Sequence, residues 1–194
     1  SNVNIRYAYI NKSSYEGNVG AIVGFVNRNA DGSASDVKIS KCVADSTVDF
    51  SGLTNSHAGG IVGPVRESGI TVEYCGSSVK FNNEDSPAGK GGGILANANS
   101  YAAESVSIKN SYTTAAFTSG LPGSDYSSIS DGTLYSARSW WKENTNVNMS
   151  VVSNENMLGG KALLNMPLLG WDIWQANDGA YPTIKGSTAY NPQN

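Results

Sequence analysis

The chain has 194 residues, 22 of them glycine, with 15% charged residues and a formal net charge of −3. That length suits one domain with a sizeable core or a short repeat array, and apolar residues recurring in register at low net charge exclude a disordered chain. Lys and Arg are scattered singly and no apolar run approaches a membrane-spanning length, so neither a nucleic-acid partner nor membrane insertion is expected.

The first element, VNIRYAYI (Val3 to Ile10), falls in the middle of a pattern that later recurs in full. The sequence therefore reads as a fragment of a larger protein that begins inside a repeat unit. Next comes a glycine phrase, NVGAIVGFV (Asn18 to Val26), which returns as HAGGIVGPV (His57 to Val65) and KGGGILANA (Lys90 to Ala98). Each phrase leads into a second motif: VKISKCVADSTVDF (Val37 to Phe50), ITVEYCGSSVKF (Ile70 to Phe81) and VSIKNSYTTAAF (Val106 to Phe117).

Each unit holds three stretches of period-2 alternation, the signature of strands. In the first stretch Ile22, Gly24 and Val26 match Ile61, Gly63, Val65 and then Ile94, Ala96, Ala98, with Phe25, Pro64 and Asn97 on the outward parity. The second aligns Val37 and Ile39 with Ile70 and Val72 and with Val106 and Ile108. The third aligns Cys42, Val48, Phe50 with Cys75, Val79, Phe81 and with Ser111, Ala115, Phe117. The three-residue step from Ile39 to Cys42 resets the in–out parity and predicts a corner at Ser40–Lys41. Glycines are expected to keep the interior small and to permit tight corner conformations.

Three strands per unit, each matched one unit later, predict an all-β fold: a single-stranded parallel β-helix, or β-solenoid. Right-handed winding follows from the general preference of parallel crossovers. The array is assigned to residues 1–118, about three and a half coils, and residues 119–194 to a C-terminal capping segment. In that segment SVVSNENMLGGKALLNM reads as a short helix, with Ser153 as cap, Glu155 in the first turn, and Met157, Ala162, Leu163 and Met166 on its apolar side. GWDIWQANDGAYPTI then supplies Trp171, Trp174, a turn at Asn177–Gly179 and a closing strand near Tyr181 to Ile184. A small Trp-rich cap of this kind is expected to cover the open end of the solenoid.

The pattern GGIVG, then ITVEYC, then VKF resembles the GLUG repeat, named for its glycine–leucine–apolar–glycine core, over residues 1–117. The ending WDIWQANDGAYPTI, within 150–185, is similar to the Trp-rich closing segment that follows such repeats. The third unit departs from the pattern, with Ala96 in place of the second glycine and Ser111 in place of Cys. The resemblance implies secreted or surface-anchored bacterial proteins, adhesin-like or forming the non-catalytic regions of IgA-specific peptidases. It further implies an extracellular location and a β-helical spacer or binding surface.

Enzymatic chemistry finds little support in the residues. His57 is the single histidine and lies in the polar stretch TNSHAGG, so it reads as a solvated loop residue, and His-pair metal sites are ruled out. Cys42 and Cys75 read as two stacked small apolar residues. A disulfide is allowed by distance, but parallel stacking seldom gives the dihedral it needs. Asp45 and Asp49 share the outward parity with Lys80, and Ala116 ends any carboxylate ladder. The segment NNEDSPAGKGGG (Asn82 to Gly93) lacks the spacing of a calcium loop.

No catalytic residue, metal ligand or cofactor is assigned. The remaining binding candidates are aromatic: Trp140, Trp141 and Tyr135 as a sugar-stacking platform, and Tyr7, Tyr74 and Tyr112 as an outward stripe near the second corner. The expected function is a non-enzymatic, monomeric surface module for adhesion or display, binding a host or matrix glycan or protein through variable loops at 27–36, 82–90 and 99–105. An accessory region of a secreted peptidase is the alternative, and a polysaccharide-active enzyme ranks last.

Overall fold

The computed structural model describes residues 3–11, 18–27, 29–33, 36–49, 57–66, 68–82, 90–98, 106–114, 116–117, 129–136 and 147–187. Strand β1 (Val3–Asn11) precedes the first glycine phrase. The first unit contributes β2 (Asn18–Gly20), β3 (Asp36–Ser40) and β4 (Cys42–Asp49). The second contributes β5 (His57–Gly59), β6 (Val62–Val65), β7 (Gly69–Glu73), β8 (Gly76–Ser77) and β9 (Lys80–Asn82). In the third are β10 (Lys90–Gly92), β11 (Leu95–Ala98), β12 (Val106–Thr113) and β13 (Ala116–Phe117). Then follow β14 (Ile129–Ser136), β15 (Val147–Val151), a 3-10 turn (Asn154–Met157), helix α1 (Gly159–Asn165), a second 3-10 turn (Pro167–Leu169), and the antiparallel hairpin β16 (Trp174–Asn177) and β17 (Ala180–Ile184).

The repeat units pair as parallel strands. β5 lies between β2 and β10, β7 between β3 and β12, and β6 beside β11. Val37, Ile70 and Val106 therefore occupy one row, and Ile39, Val72 and Ile108 the next row inward along the strand. All of these except the half-buried Val37 are buried. Branched side chains suit a pleated surface, and keeping them in phase from unit to unit places each above its own counterpart. Each fully buried side chain of this size contributes about 1.5–3 kcal/mol relative to exposure.

The third strand runs in a different register from the one expected. Thr47 pairs with Lys80, Val48 with Phe81 and Asp49 with Asn82, while Phe81 pairs with Phe117. Phe81 thus stands level with Val48, and matching it to Phe50 misplaces the first unit by two residues. The reason is the shared corner: every unit leaves it at the same point and advances one pleat at a time, so identity of residue type does not override the count. Phe50 lies outside the described residues. β1 likewise takes the third position only, pairing Val3 with Cys42, with a bulge between Arg6 and Ala8.

The parallel sheet also runs on past residue 118. β14 pairs with β12, and β15 with β14, although neither repeats the glycine phrase. Pro64, expected to face outward, is buried in β6 alongside Val62, Gly63 and Val65, whereas Phe25 is exposed beneath the Arg66 guanidinium.

Two kinds of corner shape each unit. One breaks the glycine phrase: the Ile61 carbonyl accepts both the Ile22 and Val23 N–H groups, and the Ile94 carbonyl accepts those of Ile61 and Val62. Here the glycines serve close approach rather than unusual dihedrals. Gly20, Gly59 and Gly92 stack in one row, and a Cβ on Gly59 would sit 1.7 Å from the Val62 carbonyl oxygen. The left-handed conformations lie at the other corner, on Lys41 (φ 55°), Tyr74 (φ 52°) and Asn110 (φ 49°), where the parity step places it.

Candidate functional site on the array flank

The second corner is held by one repeated hydrogen-bond device. The residue after each left-handed position turns its side chain back onto the carbonyl before it: Cys42 Sγ onto Ser40 (3.2 Å), Cys75 Sγ onto Glu73 (3.3 Å) and Ser111 Oγ onto Lys109 (2.7 Å). The same carbonyls accept from the neighbouring unit, Glu73 from the Lys41 N–H and Lys109 from the Tyr74 N–H. A left-handed conformation costs a side-chain-bearing residue about 1–2 kcal/mol, and hydrogen bonds worth roughly 1 kcal/mol each offset it. Cys42 and Cys75 are therefore more than small apolar fillers. Ser111 keeps the device and also accepts the Cys75 N–H at 3.1 Å.

Two residues beyond the corner the strands turn an aromatic flank toward the tail. Tyr112 pairs with Tyr135 on one side and Gly76 on the other. The Tyr112 ring lies over Gly76, where a Cβ would come within 2.6 Å of it. Trp174 meets Tyr112 edge-on at 5.3 Å between ring centroids, and its indole N–H donates to the Asn110 carbonyl at 3.1 Å. The Tyr112 hydroxyl donates to the Pro182 carbonyl (2.8 Å), the Asn110 amide donates to the Leu168 carbonyl (2.8 Å), and the Leu168 N–H donates to the Tyr135 hydroxyl oxygen (2.9 Å). Burial pushes the Tyr112 phenol far above its ordinary range, with Tyr181 and Asp45 acting in the same direction. It stays a donor at any physiological pH.

Val43 from the first unit and Tyr74 from the second pack on this same cluster. The described part of the tail therefore packs against strands of successive units. An aromatic residue facing a glycine one unit earlier was the signal for this flank in the sequence. The tail itself has short helical pieces in place of one helix: Gly159 (φ 54°) interrupts it, Ser153 makes no side-chain cap bond, and Leu163 is exposed. The turn and the closing strand fall where the sequence places them.

The aromatic candidates separate. Tyr112 and Tyr135 are 2% and 3% exposed, so neither offers a face to a ligand; both are spent on holding the tail. Tyr7 falls at the β1 bulge opposite Asp45 and Ser46, Tyr74 is itself a corner residue, and Tyr112 lies beyond the next corner. They do not share a row in the strand pairing. Trp140 and Trp141 lie outside the described residues. His57 opens β5, half-buried between Asn18 and Lys90, and is not a loop residue.

Among the described residues no three His, Cys, Asp or Glu side chains gather as a metal site, and no helix is long and apolar enough to cross a membrane. Among the described residues the exposed large apolar side chains are Phe25 in the first unit and Val151, Leu163, Leu168 and Leu164 in the tail, the last 82% exposed. Compared with protein-family models, curated proteins and solved structures, the chain finds no match.

Proposed function

We propose that this chain is a non-enzymatic display module: a single right-handed parallel β-helix whose coils present loops for adhesion to a glycan or protein. What supports the reading is the parallel pairing of three strand positions per unit, each with its own counterpart one unit away. Such stacking makes a stiff scaffold, and residues joining the strands are left to vary in length and sequence without disturbing the rows. The segments at 27–36, 82–90 and 99–105 join rows in this way and differ in sequence from unit to unit. The likeness to GLUG repeats points the same way, toward an extracellular bacterial surface or secreted protein. With Tyr135 committed to the tail, Trp140 and Trp141 are the aromatic pair proposed for sugar stacking.

The test is binding of the purified protein to a glycan array and to immobilised matrix proteins, beside the Trp140→Ala, Trp141→Ala double variant. Retention of the parent protein on a defined glycan, lost in the variant, is the expected result. No retention on any glycan or matrix protein, or release of reducing sugar from an added polysaccharide, defeats the proposal.

A further inference from the structure

We propose that Cys42 and Cys75 form a cross-unit disulfide, a covalent staple between the first two corners. Both are buried thiols, and they are the chain's two cysteines, so the pairing is unambiguous. They sit one unit apart at the same corner, directly before the paired residues Val43 and Gly76. Adjacent parallel strands stand about 4.8 Å apart, inside the Cα separation that disulfides adopt.

Cys42 Sγ rests on the Ser40 carbonyl, and Cys75 Sγ, 3.3 Å from the Glu73 carbonyl of its own unit, also comes within 3.8 Å of the Ile39 carbonyl of the adjoining unit. The Cys75 sulfur thus faces the end of the strand whose next carbonyl, Ser40, holds the Cys42 sulfur. Regular parallel stacking disfavours the disulfide dihedral, but both cysteines stand at the corner itself, Cys42 as the first residue of β4 and Cys75 between β7 and β8. Each follows a left-handed residue, Lys41 or Tyr74, that swings the chain out of the pleat. At the third level Ser111 occupies the place, so the staple joins the first two units alone.

The reaction needs a low-molecular-weight disulfide as oxidant. One protein thiolate attacks the oxidant's S–S bond, which breaks to give a mixed disulfide and a released thiol. The second protein thiolate then attacks the mixed disulfide and expels the second thiol. Two protein S–H bonds become one S–S bond, and two electrons and two protons reduce the oxidant to two thiols. The Cys42 thiol beside it, together with burial, pushes the Cys75 thiol up, and the thiolate is the nucleophile. Closure therefore belongs to folding or to transient opening, before the corner is sealed.

The test equilibrates the whole chain in graded ratios of reduced to oxidised glutathione, in native buffer and in denaturing guanidinium. Alkylation and intact mass then give the fraction cross-linked. Closing a loop of this length stabilises a fold that accepts the bond, and by linkage such a fold raises the effective concentration of its thiols. The expected rise is about tenfold or more in native buffer over denaturant, with a higher melting temperature for the oxidised protein. The Cys42→Ser variant should show only glutathione adducts. An effective concentration in native buffer equal to or below that in denaturant, or a lower melting temperature on oxidation, overturns the staple.

Discussion

The array and the tail are built from similar short strands yet hold together by opposite means. In the array a residue's neighbour is its own counterpart, as Val37, Ile70 and Val106 show, and the same corner bond recurs at Cys42, Cys75 and Ser111. In the tail every contact is made once: Trp174 to Asn110, Tyr112 to Pro182, Leu168 to Tyr135. Repetition spreads a defect over neighbouring levels. Unique contacts concentrate it, and a single buried indole carries much of the docking.

The sharpest way to break this comparison is Trp174→Ala. Removing a fully buried Trp costs roughly 3–5 kcal/mol, and the loss should be local. Hydrogen exchange is expected to accelerate across 147–187 while β5, β7 and β12 keep their protection. Equal acceleration everywhere would erase the distinction between the two regions.

On the array side, Gly59→Ala forces a Cβ to within 1.7 Å of the Val62 carbonyl oxygen. Overpacking of this kind typically costs about 1–3 kcal/mol, and a clash with backbone places it at the upper end of that range. Because Gly20 and Gly92 stack above and below it, the guanidinium midpoint should fall for the array as one unit. A midpoint equal to that of the parent protein would mean the first corner is not as tight as described.

The smallest effect is electrostatic and sits in the tail. Lys161, by hydrogen bond and charge, holds the exposed Glu155 carboxyl below its usual range. A carboxyl depressed on folding adds stability that is present above its unfolded pKa and is lost as pH falls through the folded value. Acidification through the carboxylate range should loosen the turn before α1 slightly, and Glu155→Gln should remove that component of the pH dependence. An unchanged pH profile in the variant would show the pair to be inert, as many exposed pairs are.

Much of the array was legible because a repeat tests itself. The rows of the second strand and the corner at Ser40–Lys41 stand where the alternation puts them. Residue type misleads where it is put ahead of count: the pattern aligns Phe50 with Phe81, but Phe81 stands beside Val48. The pattern also misses β14 and β15, which join the sheet through backbone pairing with no glycine phrase to announce them. The candidate site was the least legible part. Tyr112 and Tyr135 look like ligand platforms in a sequence, and only their burial under the tail shows otherwise.

The amino-acid pattern alone determined the rows of the second strand and the corner that follows it, because in-phase alternation is a local property that each unit states for itself. Where the tail lies was decided only in three dimensions. Its anchoring depends on an aromatic row formed when Tyr112 and Tyr135 are brought side by side by parallel pairing, and on Gly76 leaving room for a ring from the next unit. Neither condition exists in any single stretch of the chain; both arise from distance between strands, which sequence order does not encode.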